Sequence, residues 1–212
     1  MRSTQGRRTL GLVLAAVVLG VAALGSVAAL ALLGGDGDRA VAEAPVTADV
    51  VSGGDALPRL ERAGSDPAVG AKAPELAGIG FDGAPVNAPT DGQPTVLLFL
   101  AHWCPACQYE VPRVQEWIEA GRQRADVAFV AVSSGVDPDR DNYPPASWFE
   151  REGWTVPTLV DDENHSASRL YGLPGYPYWV FVTADGAVAG RHVGALGIED
   201  LEALMDRLAD LS

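Results

Sequence analysis

The amino-acid sequence predicts an α/β fold on three observations. Apolar runs of strand length alternate with helical patterns from residue 95 onward, two strand-like runs flank a hairpin signal near residue 185, and an amphipathic helix closes the chain. The first strand is Thr95 to Leu100. Pro105 to about Gly121 follows with helical period, its Val111, Val114, Trp117 and Ile118 spaced to pack into a core. Val127 to Val132 reads as the next strand, and about Pro145 to Glu152 as the next helix. Tyr178 to Thr183 and Ala187 to His192 are joined by Ala184-Asp185-Gly186, a turn sequence suited to a hairpin. Ile198 to about Leu211 carries Leu201, Leu204, Met205 and Leu208 at three- and four-residue intervals, a buried stripe. The expected order is β-α-β-α, a short link, then β-β-α.

Ahead of this lie two segments of different character. Leu10 to Leu33 contains 24 residues with no charge, which at about 1.5 Å per residue exceeds a hydrocarbon core of ~30 Å. It reads as a transmembrane signal anchor over 10–33. Arg2, Arg7 and Arg8 before it and Asp36 and Asp38 after it place residues 1–9 in the cytoplasm and the remainder outside. Ala40-Val41-Ala42 has the small-x-small pattern of a cleaved signal peptide, but the apolar run is longer than such a peptide needs. Arg7-Arg8 matches a twin-arginine signal poorly in its surroundings. Either reading puts the C-terminal region at the cell membrane's outer side, where disulfides persist. Residues 34–67, rich in Gly, Ala and Asp, read as a flexible linker with one short helical turn near Leu57 to Arg62, and residues 68–212 as a single domain.

Charge narrows the function. The first 33 residues hold three of the 15 Lys+Arg and none of the 28 Asp+Glu, so residues 34–212 carry a formal charge of −16. Such a domain repels phosphates, which argues against nucleic-acid binding.

The two cysteines form Cys104-Pro105-Ala106-Cys107, directly after the first strand and at the start of the helix. Free N–H groups and the helix dipole there stabilise an anion, so Cys104 is expected to ionise readily and attack as a thiolate. Pro105 suits the first helical turn. The spacing puts Cys107 near the same helix face, within reach of a Cys104–Cys107 disulfide. As a static bridge the pair would enclose two residues and stabilise little. Zinc needs about four ligands, and His102, His165 and His192 are scattered, so no metal is expected. Ala101, three residues before Cys104, lacks the hydroxyl of a peroxidase nucleophile loop. His102 reads either as a proton relay or, more commonly for such a residue, as a solvated loop histidine. Asp137-Pro138-Asp139-Arg140-Asp141 is similar to the start of a calcium loop, but Asn142 and Trp148 stand where that loop needs Gly and Glu. It reads as a solvated loop.

Trp103-Cys104-Pro105-Ala106-Cys107-Gln108-Tyr109-Glu110-Val111-Pro112 resembles the W-C-x-x-C-x-x-E-x-P signature of the TlpA/ResA-like (DsbE-like) branch of the thioredoxin superfamily. Gly70 to Pro74 resembles that family's G-x-x-A-P opening, and Tyr171 to Pro177 the segment before its cis-proline. The resemblance covers roughly residues 68–212. It implies a thioredoxin-like fold, a central mixed sheet flanked by helices, with Pro177 as a cis-proline facing the cysteines where an extended substrate can pair. It further implies that Glu110, by composition an ordinary solvated helix carboxylate, tunes the thiols and moves protons. Trp103 and Tyr176 would contact substrate, Trp103 chiefly packing, and Pro112 would kink the helix. Two departures stand out: Leu98 occupies the place of a buried aspartate in thioredoxins proper, and Tyr176 is bulkier than the usual Thr or Ile.

The function expected is thiol:disulfide exchange with cysteines of exported proteins, without a cofactor, more as reductant than oxidant, drawing electrons from a membrane donor. A DsbA-like oxidant and a non-catalytic client-binding module are the alternatives.

Overall fold

A computed structural model describes residues 44–61 and 65–211. The expected cytoplasmic N-terminus, the membrane anchor at 10–33 and the start of the linker lie outside the described residues. Among the described residues no helix is long and apolar enough to cross a membrane.

In chain order the elements are β1 (Val51–Gly53), β2 (Glu75–Ile79), β3 (Pro85–Ala88), β4 (Thr95–Leu100), α1 (Pro105–Glu119), β5 (Ala128–Ser133), α2 (Pro145–Arg151), β6 (Thr158–Val160), α3 (Ser166–Leu170), β7 (Tyr178–Val182), β8 (Val188–Val193) and α4 (Ile198–Asp210). Five strands form the main sheet in the order β6-β5-β4-β7-β8. β4, β5 and β6 run parallel, while β7 and β8 run antiparallel, giving the mixed sheet. β4 lies at the centre with every residue buried, which explains its unbroken apolar run: a strand covered on both faces has no solvent side to alternate with.

The two faces have separate cores. Val96, Leu98 and Leu100 pack with Val111, Val114 and Trp117 of α1 and with Leu201, Met205 and Leu208 of α4. Leu97 and Phe99 point the other way, toward Tyr171, Tyr178, Val180 and the small antiparallel sheet β1-β2-β3 through Leu76 and Val86. Fully burying each such Leu or Phe stabilises the fold by about 1.5–3 kcal/mol. The expected stripe on α4 is present, with Leu204 only partly buried beside it.

Five elements, β1, β2, β3, β6 and α3, were not expected from the sequence. β6 and α3 fall in what was expected to be a short link, and at three and five residues they are too short for period to show. The β2–β3 hairpin carried a usable signal in Asp82-Gly83, where the Asp82 carboxylate accepts the Ala84 N–H at 2.9 Å and Gly83 adopts φ +76°.

The linker expectation needs correction for the part described. β1 pairs with β2 in register Val51↔Ala77. Leu57 and Leu60 donate their amides to Leu170 and Gly172 carbonyls at 2.8 and 3.0 Å. Arg59 bonds the Leu173 and Pro174 carbonyls, both at 3.0 Å. Arg191, its side chain wholly buried, pairs with Asp66 and also donates to the Pro58 and Tyr171 carbonyls. Residues 51–60 are thus fastened to the domain, and 57–61 form no helical turn. Backbone hydrogen bonding, invisible to composition, decides this.

Candidate active site

Cys104 sits at the end of the loop after β4 and is the N-cap of α1, with Pro105 opening the first turn. Its amide donates to the Ala101 carbonyl at 3.0 Å, which turns the chain from strand into helix. The Cys107 N–H points at the Cys104 sulfur at 3.4 Å, so the orphan amides of the helix start are spent on this one atom. Both cysteines are free thiols in the structure, Cys104 6% exposed and Cys107 fully buried.

Their acidities separate widely. Hydrogen bonds from the Cys107 thiol, then from the Cys107 and Ala106 amides, lower the Cys104 pKa to about 6, although burial works against them. Burial pushes Cys107 far above the ordinary thiol range, and the hydrogen bond to Cys104 and the Glu110 charge add to this. One sulfur is therefore an anion at neutral pH and its neighbour a thiol.

Glu110, one turn beyond Cys107, is 1% exposed rather than solvated. Its Oε1 accepts the Leu196 N–H at 3.1 Å, while Oε2 has no hydrogen-bond partner among the described residues. Burial raises its pKa to about 7, with the Leu196 amide and the Arg113 charge opposing. Leu98, at the place of the thioredoxin aspartate, is buried hydrocarbon, so Glu110 is the carboxylate whose charge acts on Cys107.

Facing Cys104 from the loop before β7 is the Tyr176–Pro177 bond, which is cis as expected. The Cys104 thiol reaches the Tyr176 carbonyl at 3.5 Å. Trp103 packs edge-on against the Tyr176 ring, centroids 6.1 Å apart, and donates its Nε1–H to the Gly135 carbonyl at 2.6 Å. The Arg140 guanidinium covers the other side of Trp103 at 4.7 Å. The structure thus brings Trp103, Cys104, Cys107, Tyr176 and Pro177 together, with Glu110 beneath.

His102 is neither a solvated loop histidine nor free to relay protons. It is buried, its Nδ1 lies 2.7 Å from the Asp141 carbonyl, and its Nε2 accepts the Asp137 N–H at 3.2 Å. Those partners fix one neutral tautomer, and burial lowers its pKa. The Asp137–Asp141 segment, expected to be a solvated loop, is in consequence pinned to the site: its backbone holds His102 and its Arg140 covers Trp103. Among the described residues no cluster suited to a metal ion occurs. Sequence reasoning passed over Ser134, Gly135, Asp161 and Ser168, which lie far from the cysteines in sequence and belong to no motif that would have marked them, and it placed Arg140 only in a solvated loop.

A dithiol at the start of a helix, packed against a cis-proline loop on a mixed five-stranded sheet, defines a thioredoxin-like protein. The chain belongs to the AhpC/TSA family, whose model matches residues 69–191. It is similar to the sporulation thiol-disulfide oxidoreductase A of Bacillus subtilis (strain 168), at 22% identity over 122 residues covering 58% of this chain and 72% of that protein. It is also 31% identical over 111 residues to the soluble secreted antigen MPT53 of Mycobacterium bovis, covering 52% of this chain and 57% of that one. Among solved structures, StoA from Bacillus subtilis superposes with a TM-score of 0.54 at 24% identity, covering 66% of this chain and 99% of StoA. A thioredoxin family thiol:disulfide interchange protein from Chlorobium tepidum TLS gives 0.54 at 22%, covering 69% and 99%. These likenesses establish the shared fold.

Proposed function

We propose that this protein is an extracytoplasmic thiol:disulfide oxidoreductase, held at the cell membrane by residues 10–33, that exchanges electrons with cysteines of exported proteins. The observation that carries this reading is the asymmetry of the pair: an ionised, marginally accessible Cys104 beside a buried, protonated Cys107. Names of relatives agree in reaction class and, for MPT53, in secretion.

In the reducing direction the Cys104 thiolate attacks one sulfur of a client disulfide. The client S–S bond breaks, a mixed disulfide forms on Cys104, and the departing client thiolate takes a proton from water. Cys107 then gives its proton to the Glu110 carboxylate and attacks the Cys104 sulfur. The second client thiolate leaves, and a Cys104–Cys107 disulfide remains, two electrons having passed to the client. A dithiol donor in the membrane would return them. Glu110 suits this step because a pKa of about 7 leaves it able to accept and release a proton near neutrality. Trp103 and Tyr176 wall the approach, and the Tyr176 carbonyl beside Pro177 offers an extended client backbone a hydrogen-bond partner. No cofactor is required.

A second reading, a DsbA-like oxidant, draws support from the Cys104 acidity. A thiolate stabilised to about 6 lies between thioredoxin at about 7 and DsbA at about 3.5, and stabilising the reduced form raises the potential. The potential of the full-length protein equilibrated against glutathione separates the two: near about −270 mV for a reductant, near about −120 mV for an oxidant. Insulin reduction tests the enzyme against a passive binding module. Activity that disappears in Cys104→Ser supports exchange, and an inert wild type favours the module.

A further inference from the structure

Behind the Tyr176 wall lies a buried polar cluster that the exchange steps do not use. Among the described residues Asp161, 1% exposed, has no cationic partner in hydrogen-bond reach; amides and a hydroxyl surround it. Its Oδ1 accepts the Asp162 and Ala167 amides at 3.0 and 2.9 Å. Its Oδ2 accepts the Ser134 hydroxyl at 2.6 Å and the Ser168 amide at 3.3 Å, and the Ser168 hydroxyl, 3.2 Å from Oδ2, lies 2.6 Å from the Ser134 oxygen and donates to it. With its proton committed to Asp161, the Ser134 oxygen is left as an acceptor, and the Tyr176 hydroxyl donates to it at 3.2 Å. The next residue completes the arrangement. Gly135, at φ +63°, leaves the space that a Cβ would take 2.8 Å from the Tyr176 hydroxyl, and its carbonyl holds Trp103. Residues 134 and 135 therefore grip both aromatic walls of the Cys104 groove.

Resting on the exchange function above, we propose that Ser134, oriented by Asp161 and Ser168, is a positioning residue that anchors the Tyr176 hydroxyl and thereby sets the Tyr176 carbonyl where a client backbone pairs beside Cys104. A ring fixed at its far end cannot swing about its own Cα, so the carbonyl on the same residue stays aimed at the groove. The device needs a tyrosine before the cis-proline, since a Thr or Ile there could not reach Ser134.

Full-length reduced protein is reacted with two probes: a linear peptide whose single cysteine is a mixed disulfide with glutathione, and glutathione disulfide, which offers little extended backbone to pair. Tyr176→Phe, which removes only the hydroxyl, and Ser134→Ala should each slow the peptide reaction by about three- to tenfold, the span of one lost hydrogen bond. The glutathione disulfide rate should fall less, so that the ratio of the two rates drops by about that same three- to tenfold. The double variant should be no slower than either single, as expected for two residues acting through one contact. A Tyr176→Phe peptide rate equal to wild type, equal slowing of both probes, or additive losses overturns the proposal. Should Ser134→Ala not fold, the two-probe comparison on Tyr176→Phe decides alone. A wild type inert to both probes contradicts the exchange function itself, and this inference with it.

Discussion

The Cys107 amide donates to the Cys104 sulfur at 3.4 Å, so the second cysteine of the pair holds the first as an anion while lying sealed in the core itself. The Cys107 thiol first, and then the Cys107 and Ala106 amides at the start of α1, produce this. It divides the labour between two chemically identical side chains.

Alkylation of the native reduced protein should report that division. Iodoacetamide labelling is expected to rise through a single transition near pH 6, following the Cys104 pKa of about 6, with all label on Cys104 by peptide mapping. Cys107 should label only after unfolding. A transition near the free-thiol value of about 8.5, or label shared between the two, would contradict it.

Glu110 links proton transfer to stability. Its pKa rises from 4.5 to about 7 on folding, so the folded state binds the proton more tightly than the unfolded chain. The resulting stability is fully present below about pH 4.5, falls as pH rises, and is lost above about pH 7, by on the order of 3 kcal/mol at 1.36 kcal/mol per unit. Glu110→Gln should flatten that slope, matching wild type at pH 4.5 and exceeding it at pH 8 in thermal melts. It should also slow release of the second client thiol in a single turnover by about a hundredfold, with loss of the inflection near pH 7. Parallel melting curves and an unchanged pH profile would remove Glu110 from both roles.

Arg191 ties the segment before the domain to β8. Arg191→Ala takes the guanidinium from the Asp66 carboxylate, which keeps only the Ala68 amide, and from the Pro58 carbonyl, while the Tyr171 carbonyl retains the Tyr178 hydroxyl, so urea unfolding should show a loss of about 3–5 kcal/mol, the range for breaking a buried pair. The Arg191 hydrogen bond holds the Asp66 carboxyl below its ordinary value. This contribution is therefore present above about pH 3.8 and is lost as pH falls through the lower folded value. A change within about 0.5 kcal/mol, as at an ordinary surface site, would show that the segment is not fastened there.

Much of this was legible in the sequence, for a physical reason. Strand β4, helix α1 and the β7–β8 hairpin bury long regular faces, and their periods of two and 3.6 residues, or an unbroken apolar run, survive in the order of residues. Cys104 and Cys107 could be located at a helix start from the local order of residues, and the family resemblance marked Pro177 as a cis-proline before a strand. What stayed hidden depends on contacts across the fold. His102 looked like an ordinary loop residue because its partners Asp137 and Asp141 lie more than thirty residues away. Ser134, Asp161 and Ser168 meet only once β5, β6 and α3 are assembled. Composition between residues 44 and 61 suggested a tether, yet Arg59 and the Leu57 and Leu60 amides find carbonyls at residues 170–174.

In the proposed exchange Cys104, and not Cys107, forms the covalent intermediate with a client. Full-length Cys107→Ser and Cys104→Ser proteins, each reacted with a disulfide-bonded client and quenched in acid, test this by mass spectrometry. Cys107→Ser should accumulate a mixed disulfide on Cys104, and Cys104→Ser should yield none. A mixed disulfide on Cys107, or none in either variant, would contradict it.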